Sequence, residues 1–425
     1  MFALVDGNNF YASCERVFNP ALRNKAIVVL SNNDGIIIAR SNEAKALGIK
    51  MGTPTFEIKD LIAAKKVLAF STNFALYGDM SQRMMRIFRD FTPDIEVYSI
   101  DEAFLDFSGF KQIDLKQTGV DLRRKVLKYI GIPVSVGFGP SKTLAKIANK
   151  IAKKYMKNGV ALINTPEKIE KALKMTPIDD VWGIGRQYTR FLQKYQVQTA
   201  WDFTRLPDQF IRKNMSVNGL RTKQELLGIA CIPMAYHPEP RKAIRTARTF
   251  AQTKSNYNEL AEAVSTFASA CARKLRDQKS AANLVTVFVR TNKFDKKKPY
   301  YANSFTLQVN ATSSSIELIK AAKKALQIIF KKGLLYKKAG VMVSGLIPET
   351  HRQLSLFDDQ NFAKHKRLMQ TIDQLNSRSG LSVVKFAAEG AFPLLQVVKK
   401  HPVSSKTICW YNAKQYQSYV YIAKK

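Results

Sequence analysis

Asp101 and Glu102 are neighbours in the middle of an apolar, strand-like run, "YSIDEAFLDF", from Tyr98 to Phe107. Adjacent carboxylates repel each other, and an apolar setting makes each charge more costly. A chain that keeps this pair must fold so as to bring a compensating charge to it. Another acid has a similar position, because the short apolar run "FALV" (2–5) ends at Asp6. Both runs read as strands with acids at their tips. If the two tips adjoin in one sheet, three carboxylates converge, and divalent cations would remove their repulsion. Oxygen ligands suit Mg²⁺, which usually keeps waters and substrate phosphates in its shell. Two such ions clamp an in-line phosphoryl displacement. Taken alone, the pair also reads as solvated turn acids, since neighbouring strand side chains point to opposite faces.

Patterning around these acids describes a mixed fold. "AIVVL" (26–30) and "GIIIA" (35–39) flank "SNND" as a hairpin, and "SNEAKALG" (41–48) reads as a short helix stopped by Gly48. Leu76, Met80, Met84, Ile87, Phe88 and Phe91 recur at helical spacing, closed by Pro93. "IEVYS" and "EAFLDF" form a strand pair that turns near Ile100 and Asp101. A helix near 117–130, the strand "PVSVGFG" (133–139) and a helix carrying Leu144, Ile147 and Ile151 follow. Strands and helices mix without β-α-β regularity, which implies an α+β core. Residues 166–235 read as all-helical with short Gly-containing turns, and "PEPRKAIRTART" (238–249) reads as a linker. Residues 250–345 give strand, helix, two strands, helix, strand, and the last 80 residues are the least regular. At 425 residues the chain is too long for one small core, so several domains are expected.

Charge narrows the function. Lys and Arg number 68 against 33 Asp and Glu, a net charge of +35 with a pI of about 10.0. A folded protein this basic meets a polyanion, a solubility surplus being the plainer alternative. Residues 241–345 alone hold 21 Lys or Arg and 5 Asp or Glu. No run of about 18 apolar residues suggests a membrane span, and "MFALVDGNNF" lacks the basic start of a secretory signal. Cys14, Cys231, Cys271 and Cys409 are far apart, and His237, His351, His365 and His401 do not cluster with them. A zinc site is therefore not expected, and a reduced, cytoplasmic location is.

Five motifs occur in order: "DGNNFYASCE" (6–15), "AKALGIKMG" (44–52), "SIDEAFLD" (99–106), "SKTLAKIAN" (141–149) and "DDVWGIG" (179–185). Together they resemble the Y-family translesion DNA polymerases, and the resemblance runs through about residue 350. It implies a right-hand, α+β multidomain enzyme. The palm would be 1–19 and 77–165, the fingers 20–76, a helical thumb 166–237, a little finger 243–347 and a tail 348–425. It assigns Asp6, Asp101 and Glu102, with the main-chain carbonyl of Gly7, as ligands of two Mg²⁺ ions. Many members carry a second Asp where this chain has Asn8. Tyr11 matches the steric gate that leaves no room for a 2′-hydroxyl, with Phe10 as the core aromatic beside it. Lys45 and Lys153 match triphosphate-binding positions. Asn42 stands where the wider family often has Tyr, and Lys45 where it often has Arg; Lys is a point charge without Arg's fork.

Gly183 and Gly185 in "VWGIGRQ" (181–187) supply the G-x-G of a helix-hairpin-helix, which offers backbone N–H groups to a DNA phosphate. "QLSLF" (353–357) is similar to the sliding-clamp-binding peptide of bacterial polymerases, with Gln353, Leu354, Leu356 and Phe357 as its contacts. The partners implied are primer–template DNA, deoxynucleoside triphosphates, the sliding clamp, a UmuD′ dimer and RecA. The expected activity is error-prone addition of deoxynucleotides opposite damaged template, in SOS mutagenesis and DNA repair. A nucleotidyl cyclase would share the palm and its acids but would have no use for the G-x-G, the basic domain or "QLSLF". A non-catalytic DNA-binding relative would not need all three carboxylates.

Overall fold

The computed structural model describes residues 1–110, 112–236, 239–295, 297–351, 362–379, 383–390 and 401–402. The chain divides into two compact units at Pro238 and Glu239.

The strands of the first unit are β1 (Phe2–Gly7), β2 (Ile27–Leu30), β3 (Ile37–Arg40), β4 (Leu68–Ser71), β5 (Ile95–Val97), β6 (Glu102–Asp106), β7 (Val134–Gly139) and β8 (Val160–Leu162). Its helices are α1 (Phe10–Val17), α2 (Asn42–Ala46), α3 (Lys59–Ala63), α4 (Phe74–Arg89), α5 (Leu115–Ile130), α6 (Lys142–Tyr155), α7 (Pro166–Lys174), α8 (Arg186–Gln193), α9 (Ala200–Thr204) and α10 (Asp208–Leu226). A five-stranded sheet runs β5-β6-β1-β7-β8. Its central strand, β1, is antiparallel to both neighbours. Side chains alternate across this strand. Ala3 and Val5 join the core built with α4 and α5, whereas Leu4 packs with Phe104 and with Ala145 of α6. The approach of α6 to β7 is close enough to require glycine. A Cβ on Gly137 would lie 1.9 Å from the Asn149 backbone nitrogen. Asn149 in turn donates its side-chain amide to the carbonyls of Leu4 and Ser135, at 3.0 and 2.8 Å.

A smaller sheet, β3-β2-β4, has its own core around Val28, Leu30 and Ile37. Helices α7 to α10 gather around Leu173, Phe203, Ile211 and Leu226.

The second unit contains β9 (Ala243–Lys254), α11 (Tyr257–Asp277), β10 (Ser280–Thr291), β11 (Ala302–Thr312), α12 (Ser315–Ile329), β12 (Tyr336–Pro348) and α13 (Phe362–Ser379). Its antiparallel sheet runs β11-β10-β12-β9. Val285, Val287 and Val289 of β10 face α11 and α12 in a shared apolar core. Arg276 of α11 grips Asp373 of α13 through two hydrogen bonds of 2.6 and 2.8 Å.

The α+β expectation holds, and one reading is corrected. Residues 243–249 are not linker but the first half of the twelve-residue strand β9, paired with β12 from Ala243↔Ser344 to Thr249↔Lys338. Its composition misleads because β9 is an edge strand. Bases on an edge deter unwanted pairing while leaving the inner ladder intact.

Candidate active site

Asp6 is the penultimate residue of β1 and Glu102 the first of β6, and the register sets them directly opposite one another. Asp101 is latched to the same point, since its carbonyl accepts the Gly7 N–H at 2.8 Å. Ser99 organises the turn. Its hydroxyl donates to Asp101 Oδ1 at 2.7 Å and accepts the N–H groups of Asp101 and Glu102. The strand tips therefore adjoin, and Asp101 is not in the strand, so the alternation rule does not separate it from Glu102.

Compensation comes from α6. Lys153 Nζ lies 2.5 Å from Asp6 Oδ1, and Lys146 Nζ 2.9 Å from Glu102 Oε2. These lysines are seven residues apart, two helical turns, and so share a face. Burial pushes the Asp6 carboxyl up to about 7; Lys153 pulls it down, and Glu102 and Asp101 push it further up. Burial also raises Asp101. For Glu102 burial is the largest influence and acts upward, but Lys146 and a hydrogen bond shared with Asp6 bring it below the ordinary carboxylate range. Among the described residues, no three acidic, His or Cys side chains already form a closed cation site. The expected donor set is nonetheless all oxygen: the three carboxylates and, as the resemblance implies, the Gly7 carbonyl. A hard divalent cation fits such a set, and its charge would favour the ionised forms of Asp6 and Asp101 that burial disfavours.

Tyr11 stands beside these acids on α1. Its ring stacks on Tyr77 at 4.4 Å and 17°, with Phe74 edge-on at 6.2 Å. Tyr77 is fully buried, and its hydroxyl donates to Glu15 at 2.7 Å. Burial, then Asp101, pushes the Tyr11 hydroxyl up to about 12. Phe10 is 3% exposed and belongs to the core, whereas Tyr11 only packs against it.

Lys45 donates to Asn9 Oδ1 at 2.6 Å and to Asn42 Oδ1 at 3.4 Å, and Asn9 Nδ2 donates to Asn42 Oδ1 at 2.9 Å. Burial, then Arg40 and Lys153, lowers the Lys45 ammonium. Arg40 and Lys153 thus both act on Lys45, a concentration of cations suited to an anion. Sequence reasoning did not single out Asn9, Arg40, Tyr77 or Lys146. Asn9 has φ 50°, the left-handed region that Asn tolerates better than most residues. A local signal existed only there.

Gly183 has φ +94°, and Gly185 is the N-cap residue of α8. "QLSLF", with Gln353, Leu354, Leu356 and Phe357, lies outside the described residues.

Two family models match, one described as "impB/mucB/samB family" over residues 5–150 and one as its C-terminal domain over 241–356. Protein ImpB of Salmonella typhimurium is 40% identical over 96% of this chain and 98% of its own length. Protein UmuC of Salmonella typhimurium strain LT2 is 39% identical over 92% of this chain and 94% of its own. The chain belongs to the impB/mucB/samB family. The fold of this impB/mucB/samB member is that of the Y-family polymerases. It superimposes on a solved Y-family DNA polymerase chimera of Dbh and Dpo4 with a TM-score of 0.66 and 23% identity, over 82% of this chain and 99% of that one. It is a Y-family translesion DNA polymerase. Among the described residues, no helix is long and apolar enough to cross a membrane.

Proposed function

We propose that this chain adds deoxynucleotides to a primer 3′ end opposite damaged template, in SOS mutagenesis and repair, with Asp6, Asp101 and Glu102 as its catalytic acids. The observation that carries the residue assignment is the opposed Asp6–Glu102 pair with Asp101 latched to Gly7. Asp6, Asp101, Glu102 and the Gly7 carbonyl would hold two Mg²⁺ ions, which would supply charge stabilisation for the phosphoryl transfer. The chain's own contributions are positional. Lys45 and Lys153, with Asn42 through its bond to Lys45, orient and neutralise the triphosphate. Tyr11 blocks a 2′-hydroxyl, because its ring is fixed by Tyr77.

Residues 1–19 and 77–165 act as palm, 20–76 as fingers, 166–237 as thumb and 243–347 as little finger. Gly183 and Gly185 present backbone N–H groups to a DNA phosphate. The 21 bases of 241–345 hold DNA without reading its sequence. The tail tethers the enzyme to the sliding clamp through "QLSLF", and the resemblance to UmuC supports a UmuD′ dimer and RecA as partners in the cytoplasm.

Primer extension by the purified chain with Mg²⁺ tests this reading. Asp101→Ala is expected to abolish nucleotide addition and to leave DNA affinity, measured on the same preparation, nearly unchanged. Substantial extension by the variant would sink the ligand assignment.

A further inference from the structure

Helix α6 carries lysines at 142, 146, 150 and 153, spaced as one stripe. Each pairs with a carboxylate: Lys142 with Glu96, Lys146 with Glu102, Lys150 with Asp180 and Lys153 with Asp6. Two of these partners are proposed catalytic acids. Asp180 is not; it lies just before the G-x-G turn of Gly183 and Gly185. Trp182, between Asp180 and that turn, reaches the same helix. Lys146 Nζ is 4.3 Å from the ring centroid of Tyr98 and 5.7 Å from those of Phe104 and Trp182. Three aromatic rings thus surround one ammonium. The cage is braced from within. Trp182 Nε1 donates to the Tyr98 hydroxyl at 3.1 Å, and these two rings meet at 89°. Trp182 also lies 5.9 Å from Phe104, centroid to centroid. Toward the sheet, the caged ammonium meets Glu102 Oε2 at 2.9 Å.

We propose that Trp182 and Lys146 are positioning residues for Glu102: the tryptophan beside the G-x-G turn closes an aromatic cage on Lys146, and the caged ammonium fixes the Glu102 carboxylate. This rests on the reading of Glu102 as a catalytic acid. A cation is attracted to aromatic faces, most strongly to indole. A lysine on its flexible stem otherwise holds a carboxylate poorly, and a functional carboxylate acts only when its supporting shell locks it. The phosphate-facing turn and a catalytic acid are thereby physically joined through one helix.

The test uses the full chain with Lys146→Met, Trp182→Leu, Trp182→Phe and the control Glu102→Gln. Three quantities are measured: kcat and KM for single-nucleotide insertion, Mn²⁺ affinity of the protein without DNA or nucleotide (by electron paramagnetic resonance of free Mn²⁺), and thermal melting. Lys146→Met removes a competing cation, so Mn²⁺ should bind about threefold tighter or more. Its kcat should fall about tenfold with KM little changed, the signature of a lost transition-state contribution. Trp182→Leu should move both quantities the same way by less, and Trp182→Phe should keep both within about twofold, because a π-face remains. Lys146→Met or Trp182→Leu with parental kcat and parental Mn²⁺ affinity would overturn the proposal. So would a lower melting temperature with proportionate loss of insertion and DNA binding, since that marks a merely structural lysine. If Glu102→Gln inserts nucleotide normally, the assignment of the acid fails and takes this proposal with it. If Glu102→Gln is inactive while Lys146→Met is unchanged, this proposal alone fails.

Discussion

Tyr11 is fixed by its neighbours more than by its own backbone. Tyr77 stacks beneath it, Phe74 meets it edge-on, and the Tyr77 hydroxyl is tied to Glu15. A ring so braced cannot swing aside for a 2′-hydroxyl, and a steric wall discriminates only if it does not yield. Tyr11→Ala is therefore expected to raise ribonucleotide insertion, relative to deoxynucleotide insertion, by about tenfold or more, on the scale of a lost specificity contact. Tyr11→Phe keeps the wall and should keep the discrimination. Single-nucleotide insertion with paired sugars reads the ratio, and an unchanged ratio in the alanine variant would rule Tyr11 out as the gate. Asn9 supports a second expectation. It links Lys45 and Asn42, so Asn9→Ala should raise KM for the incoming nucleotide several-fold, roughly, with DNA affinity unchanged. A fall in kcat alone would argue against that role.

Among the elements, α6 has the most work. It covers one face of the five-stranded sheet, carries the lysines that neutralise Asp6 and Glu102, and donates Asn149 to the carbonyls of Leu4 and Ser135. Its placement depends on Gly137, where a Cβ would meet backbone of α6 at 1.9 Å and no side chain could give way. Gly137→Ala must lift the helix off the sheet. Overpacking of this kind costs about 1–3 kcal/mol, occasionally more. Because the displaced helix carries both lysines, insertion should fall further than the loss of stability alone explains. Chemical denaturation and insertion assays on the same variant check both parts. A variant with parental stability would show that the approach of α6 to β7 is looser than described.

At the scale of the molecule, the net charge of +35 would supply the proposed DNA affinity, which salt would weaken. A tether to the clamp would offset that weakness by raising the effective concentration at the primer end. Leu356→Ala with Phe357→Ala is expected to erase clamp binding, each anchor contributing about 2 kcal/mol or more if it is a hot spot. Extension on a short primer without clamp should survive, because the proposed catalytic acids are in another part of the chain. Titration with the clamp, and extension with and without it, measure the two effects. Undiminished clamp affinity would place the tether elsewhere, and a joint loss of solubility and basal activity would make the segment a core strand.

The sequence by itself determined the elements and pointed to the three acids that the fold brings together. Asp6 and the Asp101–Glu102 pair stand out because strand ends and helical periodicity are local properties, and because charged residues in apolar runs demand an explanation. It also carried the family, through motifs that are contiguous in the chain. It misread 243–249, because whether a base-rich segment is linker or edge strand depends on a partner, β12, nearly a hundred residues away. Tertiary structure alone decided which cations answer the acids. Lys146 and Lys153 look like any solvated lysines on a helix, and only the packing of α6 against β1 and β7 brings them to Glu102 and Asp6. The same holds for Tyr77 beneath Tyr11 and for Trp182 over Lys146. Those contacts join residues 36 to 66 positions apart, and no periodicity along the chain encodes them.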